Sequence, residues 1–333
     1  KLDVDIVSDA DYLLEFKDGF TGYDDTNKMF QDQFGRGLDE YDDTIRKNSL
    51  VIDRSWSQHA LVANALWYDD VIARRADTED TTLQTLPGLE FYALRQQIGS
   101  TGFYYAMDTQ FQSFFRRDTR DTATTDRTSA KTRGRRLDVN PRLIYPMRLG
   151  KTVAFQPFIG VRGTVYHTDS FIDATRDDDS LRFRGLYDLG TDISTRLNRV
   201  FTVNSAFAEK IQHQVTPALG YRFLPRVDQQ DLPFFDSLDD IQEQNKITWS
   251  LTNRFIAKKT VAGPEQTVQS RYNELGWITF FQDYDITNDR DGADADGRSW
   301  SDIQMEARIF PFSFLSMRTD LAWSPYETDF TTI

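Results

Sequence analysis

Polar and apolar residues alternate with a period of two along most of the chain. In FYYAMDTQFQSFF, Phe103, Tyr105, Met107, Phe111 and Phe115 share one side, and Asp108, Gln110 and Gln112 the other. In LDVNPRLIY, Leu137, Val139, Pro141, Leu143 and Tyr145 oppose Asp138, Asn140 and Arg142. YDLGTDISTRLNRVF sets Tyr187, Leu189, Ile193 and Leu197 against Asp188, Asp192, Ser194 and Arg196. KITWSLTNRF places Ile247, Trp249, Leu251 and Phe255 against Thr248, Ser250, Thr252 and Arg254. Such stretches predict β-strands with one greasy and one polar face. Helical periodicity is almost absent, apart from a short turn expected near residues 11–16. Alternation alone fits two objects equally: a soluble sandwich with a solvated face, or a membrane barrel whose polar face lines a wet lumen.

Connection lengths separate these readings. Short connections fall at 56–60, 96–102, 148–152, 204–210 and 310–314. Long polar ones fall near 72–86, 116–133, 168–180, 225–244 and 286–299. They alternate in order, so one end of the sheet carries tight turns and the other long loops, the asymmetry of an outer-membrane barrel. The stretch from Lys258 to Gln269 breaks the rule, being too long for its short slot. The strands over 103–115 and 183–203 reach or exceed the ~9–11 residues that cross a bilayer at a tilt. Aromatics such as Trp56, Trp67, Tyr145, Tyr166, Trp249 and Trp323 sit near strand ends, where interfacial girdles lie. Roughly twelve spanning strands fit between Ile45 and Trp323. Pro141 and Pro157 fall on outward faces, where a missing ladder donor predicts bulges near the membrane boundary.

Composition supports this picture by exclusion. Hydrophobic residues make up only 39% of 333, with no apolar run near the length of a membrane helix. A net charge of −13 argues against a general nucleic-acid binder. Zero cysteines remove disulfides, thiolate metal sites and a cysteine nucleophile from these residues. The opening KLDVDIVSDADYLLEF has no apolar signal region, which leaves a cytoplasmic protein, a processed product or a fragment; the missing start methionine favours the latter two.

Candidate chemistry is sparse. His59, His167 and His213 have no partner at ligand spacing, and no nucleophile elbow, phosphate loop or zinc-helix motif is present. With 52 acidic residues, adjacent carboxylates mark no catalytic pair. DRDGADADG (289–297) fails as a calcium loop: aligning Gly297 with the invariant glycine puts Gly292 and Ile303 at the first and last ligand positions. It and DATRDDDS (173–180) read as solvated acidic loops. RRDTRDTATTDRTSAKTRGRR (116–136) either touches anionic lipid head groups or, the favoured reading, is a mobile external loop. No catalytic, cofactor or metal residue is assigned.

One segment is more specific. VDQQDLPFFDSLDDI, leading into NKITWSLTNRF, resembles the LPS-assembly outer-membrane protein family, LptD. The matching positions are Asp228, Gln229, Asp231, Leu232, Pro233, Phe235, Asp236, Ser237, Asp239 and Ile241, then Asn245, Ile247, Thr248, Leu251, Thr252, Asn253 and Arg254. Gln230 stands where the family has an acidic residue. VSDADYLLEF (7–16), NPRLIYPMRLG (140–150) and HQVTPALGYRFLP (213–225) are similar to further family stretches in the expected order.

The resemblance implies an all-β fold, a transmembrane antiparallel β-barrel, with roughly a dozen strands of a larger one within residues 1–333. A family member's N-terminal periplasmic domain and terminal barrel strands, with the lateral gate between them, would lie outside this sequence. The implied function is insertion of lipopolysaccharide into the outer leaflet of the Gram-negative outer membrane, without enzymatic chemistry or a cofactor. The implied partners are lipopolysaccharide, a plug lipoprotein and, through the missing domain, a periplasmic bridge protein, with no nucleic acid. Alternation nominates Asp108, Gln110, Gln112, Asp188, Asp192, Thr248, Ser250 and Arg254 as facing the lumen. In the loop, Leu232, Phe234 and Phe235, beside Pro233, are expected either to bury against the plug or neighbouring loops or, equally, to pack within a loop lid that touches no partner, while Asp228, Asp231 and Asp236 cap turns. The alternatives are another outer-membrane porin or receptor barrel, and a soluble all-β glycan-binding protein.

Overall fold

The computed structural model describes the chain apart from residues 20–21, 79, 120–128, 171–179, 204, 206, 263–267, 292–297, 313, 328–329 and 333. The acidic stretches at 292–297 and 173–179 therefore lie outside the described residues.

One antiparallel sheet dominates. Its strands are β1 (Leu2–Asp3), β2 (Ile45–Ser55), β3 (His59–Asp70), β4 (Gln84–Gln97), β5 (Tyr104–Thr119), β6 (Ser129–Ile144), β7 (Met147–Leu149) and β8 (Val153–Ser170). They continue as β9 (Ser180–Thr195), β10 (Leu197–Thr202), β11 (Lys210–Leu224), β12 (Gln244–Ala262), β13 (Val268–Asp285), β14 (Ile303–Phe312), β15 (Leu315–Trp323) and β16 (Phe330–Thr332). Each long strand pairs with its sequence neighbours, while short β7 pairs β8 and β10 pairs β11. Among the described residues the sheet is open, since β1 and β16 do not pair with each other.

The twelve expected long strands are present, and the connections alternate more strictly than the sequence indicates. β12 and β13 stay paired out to Ala262 opposite Val268, so only residues 263–267 join them. The apparent exception between Lys258 and Gln269 is strand, because its polar residues continue the ladder instead of leaving it.

Both prolines are held without register shifts, contrary to the expected bulges. The amide of Tyr145 donates to the Pro157 carbonyl at 3.0 Å. Pro157 therefore turns its missing donor toward the β6–β7 junction, where the ladder is already interrupted. At Pro141 the β6–β8 pairing skips two residues and resumes in register at Arg142 opposite Gly160. The expected single strand over 183–203 divides into β9 and β10 across from Pro217, whose absent N–H interrupts pairing there.

The helices α1 (Tyr12–Glu15), α2 (Tyr23–Phe34), α3 (Val71–Arg75) and α4 (Ile286–Asp291) all lie in long connections. α1 matches the expected turn; α2 is a correction to the near-absence of helix. It ends at Gly35, whose φ of 68° suits the left-handed cap, and it buries Tyr23 against Tyr41 at 5.7 Å.

Register carries the two faces across strands. Phe111, Leu137, Val165 and Phe183 fall in one row, while Gln110, Asp138, Thr164 and Arg184 fall in the adjacent row on the opposite side. The first face is greasy yet uncovered: Phe183 is 68% exposed and Val161 53%. A soluble protein rarely leaves so much contiguous apolar surface bare. Conventional core is scarce, and Arg46, Arg136 and Arg184 are among the largest fully buried side chains.

Candidate functional site

The long connection from Pro225 to Glu243 folds down onto the polar face of β5, β6, β8 and β9. Its docking is built around Arg136 on β6, which is 1% exposed. The Arg136 guanidinium donates to both carboxylate oxygens of Asp236, at 2.6 and 2.7 Å, and to Asp239 Oδ1 at 2.7 Å. From the wall it also meets Gln110 Oε1 at 2.9 Å and Gln112 Oε1 at 2.8 Å. Two-pronged geometry of this kind is where arginine exceeds lysine.

Arg184 on β9 holds the other side of the loop. It donates to the carbonyls of Leu238 and Asp239, to Gln229 Oε1 and to Thr164 Oγ1, at 2.8 to 3.1 Å. Thr164 passes its own proton toward Asp138, which Arg162 clasps at 3.0 Å. Three guanidiniums (Arg136, Arg162, Arg184) thus face three carboxylates (Asp138, Asp236, Asp239). Balance is what makes burial of these charges affordable.

Aromatic packing completes the dock. Phe235 stacks on Phe114 with centroids 4.4 Å apart and planes within 5°. The ring occupies the space a side chain at Gly134 would need: a Cβ there would lie 2.0 Å from its tip. Inside the loop, Asp239 Oδ2 accepts from the amides of Phe235 and Asp236, at 2.7 and 3.1 Å. Gln229 exchanges a pair of bonds with the backbone of Ile241. Burial pushes the Asp236 carboxyl up, but the Arg136 guanidinium outweighs it and holds that group below the usual carboxylate range.

The expected loop residues divide. Asp228 and Asp236 cap turns, accepting from the amides of Gln230 and Leu238. No such bond is seen for Asp231, which lines a cleft with Leu232 and Phe183. Phe235 buries against the strand wall of its own chain, whereas Phe234 remains 65% exposed. Leu232, Pro233 and Phe234 border a cavity of about 1100 Å³ between the loop and α4.

By register, the eight nominated wall residues share the loop-bearing face. Gln110 and Gln112 meet Arg136. Asp188 pairs with Arg142 at 2.8 Å, and both carboxylate oxygens of Asp192 accept from Arg222 Nη2 at 2.9 Å. Thr248 donates to Asp283 at 2.6 Å, and Arg254 pairs with Glu274 at 3.1 Å. Asp108 stands exposed opposite Tyr92 and Asn140, and Ser250 opposite Ala218 and Phe281.

Arg136, Arg184, Asp239, Asp138 and Thr164 are absent from that nomination. Arg136 sits within the stretch expected to be a mobile external loop; residues 116–119 and 129–136 are instead strand, with 120–128 outside the described residues. The signal was the parity of LDVNPRLIY, which extends backward through Arg136 and assigns it the face of Asp138.

A profile of the family described as "LptD: LPS transport system D" matches residues 1–333. Among curated proteins, the LPS-assembly protein LptD of Methylococcus capsulatus is 23% identical over 79% of this chain and 25% of its own length. That of Cupriavidus metallidurans is 24% identical over 92% of this chain and 37% of its own length. That of Xylella fastidiosa is 27% identical over 50% of this chain and 22% of its own. The chain therefore spans between 22% and 37% of the length of these relatives. A profile that covers every residue, on a sheet sorted into one wet and one greasy side, shows that the chain belongs to the LptD family, whose members reside in the Gram-negative outer membrane.

Proposed function

We propose that these residues form the central part of a barrel that delivers lipopolysaccharide to the outer leaflet. The family is a transporter family, not an enzyme family. In this reading the periplasmic domain, the terminal strands and the gate belong to other parts of the full-length protein. The reading rests on the match across residues 1–333, supported by the sorting of side chains between faces. The rival readings, another outer-membrane barrel or a soluble glycan binder, give way to that match.

On this reading the greasy face meets hydrocarbon and the polar face lines the lumen, with Asp108, Gln110, Gln112, Asp188, Asp192, Thr248, Ser250 and Arg254 among its residues. Paired charges such as Arg142–Asp188 and Arg222–Asp192 offer a passing glycan hydrogen bonds without a net charge that would trap it. The docked loop narrows the mouth. Its tip at Leu232, Pro233 and Phe234 is the surface offered to a plug lipoprotein, and a periplasmic bridge protein would engage the domain outside these residues.

Two measurements test this. Nitroxides at Tyr105 and Asp108 of the reconstituted full-length protein should respond oppositely, Tyr105 to oxygen and Asp108 to a water-soluble nickel chelate. The same preference at both sites overturns the barrel reading. Depleting the full-length protein in its own bacterium should stop pulse-labelled lipopolysaccharide from reaching the surface; undiminished delivery overturns the transport reading.

A further inference from the structure

We propose that the greasy face carries, at the long-loop end of β4, β5, β6 and β8, a binding site for a phosphorylated lipid of the outer leaflet. The inference rests on the reading that this face meets hydrocarbon. It concerns a resident lipid outside the barrel rather than cargo passing through it.

The register from Leu137 toward the long loop puts Arg135 and then Arg133 on the greasy face. Arg135 stands opposite Ser113 on β5 and His167 on β8, and Arg133 opposite Phe115 on β5 and Asp169 on β8. Both arginines are exposed, and Arg133 lies over the Phe115 ring at 5.9 Å. Between them is a cleft of about 330 Å³ whose lining includes Leu86, Ser113, Phe115, Arg133, Arg135 and His167. Its polar members gather two guanidiniums, an imidazole and a hydroxyl. Its apolar members continue down the same face into Leu137, Val165 and Phe183.

That arrangement matches an amphiphile with an anionic head and greasy tails. Guanidinium forks bind phosphate in two-pronged fashion, and arginines just beyond an apolar band sit at head-group depth. The site is also polar in the sense of direction. At the short-turn end of β5, β6 and β8 the same face presents Tyr105, Leu143 and Phe155, without a cation among the described residues. Composition does not predict such a spot, since the chain as a whole carries a net charge of −13. The backbone beneath is held from behind, because Phe114 and Gly134 are the residues against which Phe235 docks.

The test uses the full-length protein in detergent, with phosphatidic acid as the phosphate-bearing probe and phosphatidylcholine as the masked-charge control. Native mass spectrometry should show the R133Q/R135Q double variant retaining at least about fivefold less phosphatidic acid than wild type. Phosphatidylcholine retention should not change. R133K/R135K should recover part of the binding, and retention of heat-modifiable gel mobility shows that each variant is folded. Equal phosphatidic acid retention by wild type and R133Q/R135Q overturns the site. So does displacement by millimolar inorganic phosphate, which would make the ligand an ion instead of a lipid. Failure here, with Tyr105 still answering to oxygen, removes the site and leaves the barrel reading intact.

Discussion

Arg136 and Arg142 lie on one strand, on one face, six positions apart, and behave as different residues. The Arg136 side chain is 0% exposed and binds two carboxylates and two amide oxygens. Arg142 is 42% exposed, pairs with Asp188 alone and lies over the Phe158 ring at 4.7 Å. The docked loop makes the difference, because it removes water from the first and leaves the second wet. Where water is excluded, an unpaired charge is costly, so a broken pair cannot persist in place. Where water remains, a broken pair is re-solvated at little cost.

Four perturbations separate the dry arginine from the wet one. Arg136→Met should have the largest effect. It leaves Asp239 buried without its cation, a penalty of about 3–5 kcal/mol for such a pair unless the loop lifts off first. Protease cleavage within 225–243 should rise sharply while the strands stay intact; a loop that stays protected denies Arg136 its anchoring role. Gly134→Ala comes next, forcing the Phe235 ring aside at a cost of about 1–3 kcal/mol. Combining it with Phe235→Leu should recover part of that loss in a denaturant series, and strict additivity would show that the two do not touch.

Acid should act in the same direction, more gently. The Asp236 carboxyl is depressed in the folded protein. Its contribution is therefore present above the unfolded value of about 3.9 and disappears as pH falls through the lower folded value. A fluorinated probe at exposed Phe234 should report loosening in that window in wild type and less of it in Asp236→Asn; identical profiles would place the acid response elsewhere. Arg142→Gln should matter least, at about 1 kcal/mol or below, with loop protection unchanged.

Much of this architecture is legible in the residues because a membrane wall imposes simple rules. Period-two sorting in 103–115 and 137–145 gives the strands, and alternating connection lengths give the two ends. What escapes is whatever depends on contact across long sequence separations. Arg136 lies in a run of Arg, Thr and Asp that looks solvated, and only the arrival of Asp236 and Asp239, a hundred residues later, buries it. The helix α2 escapes because Tyr23, Met29, Phe30 and Phe34 make a ragged stripe among Asp and Gln. The prolines mislead because which neighbour receives the missing donor cannot be read from one strand.

The thinness of the wall at Phe114 and Gly134 has a consequence for how this stretch can change. Loop anchor and proposed lipid cleft are alternate beads on the same two threads, separated by a single layer of main chain. Losing Leu137 alone would invert every residue on its loop side relative to Asp138, turning Arg136 outward and Arg133 and Arg135 inward together. One missing apolar residue in the middle of the wall would therefore undo both jobs at once, without touching a single charged group.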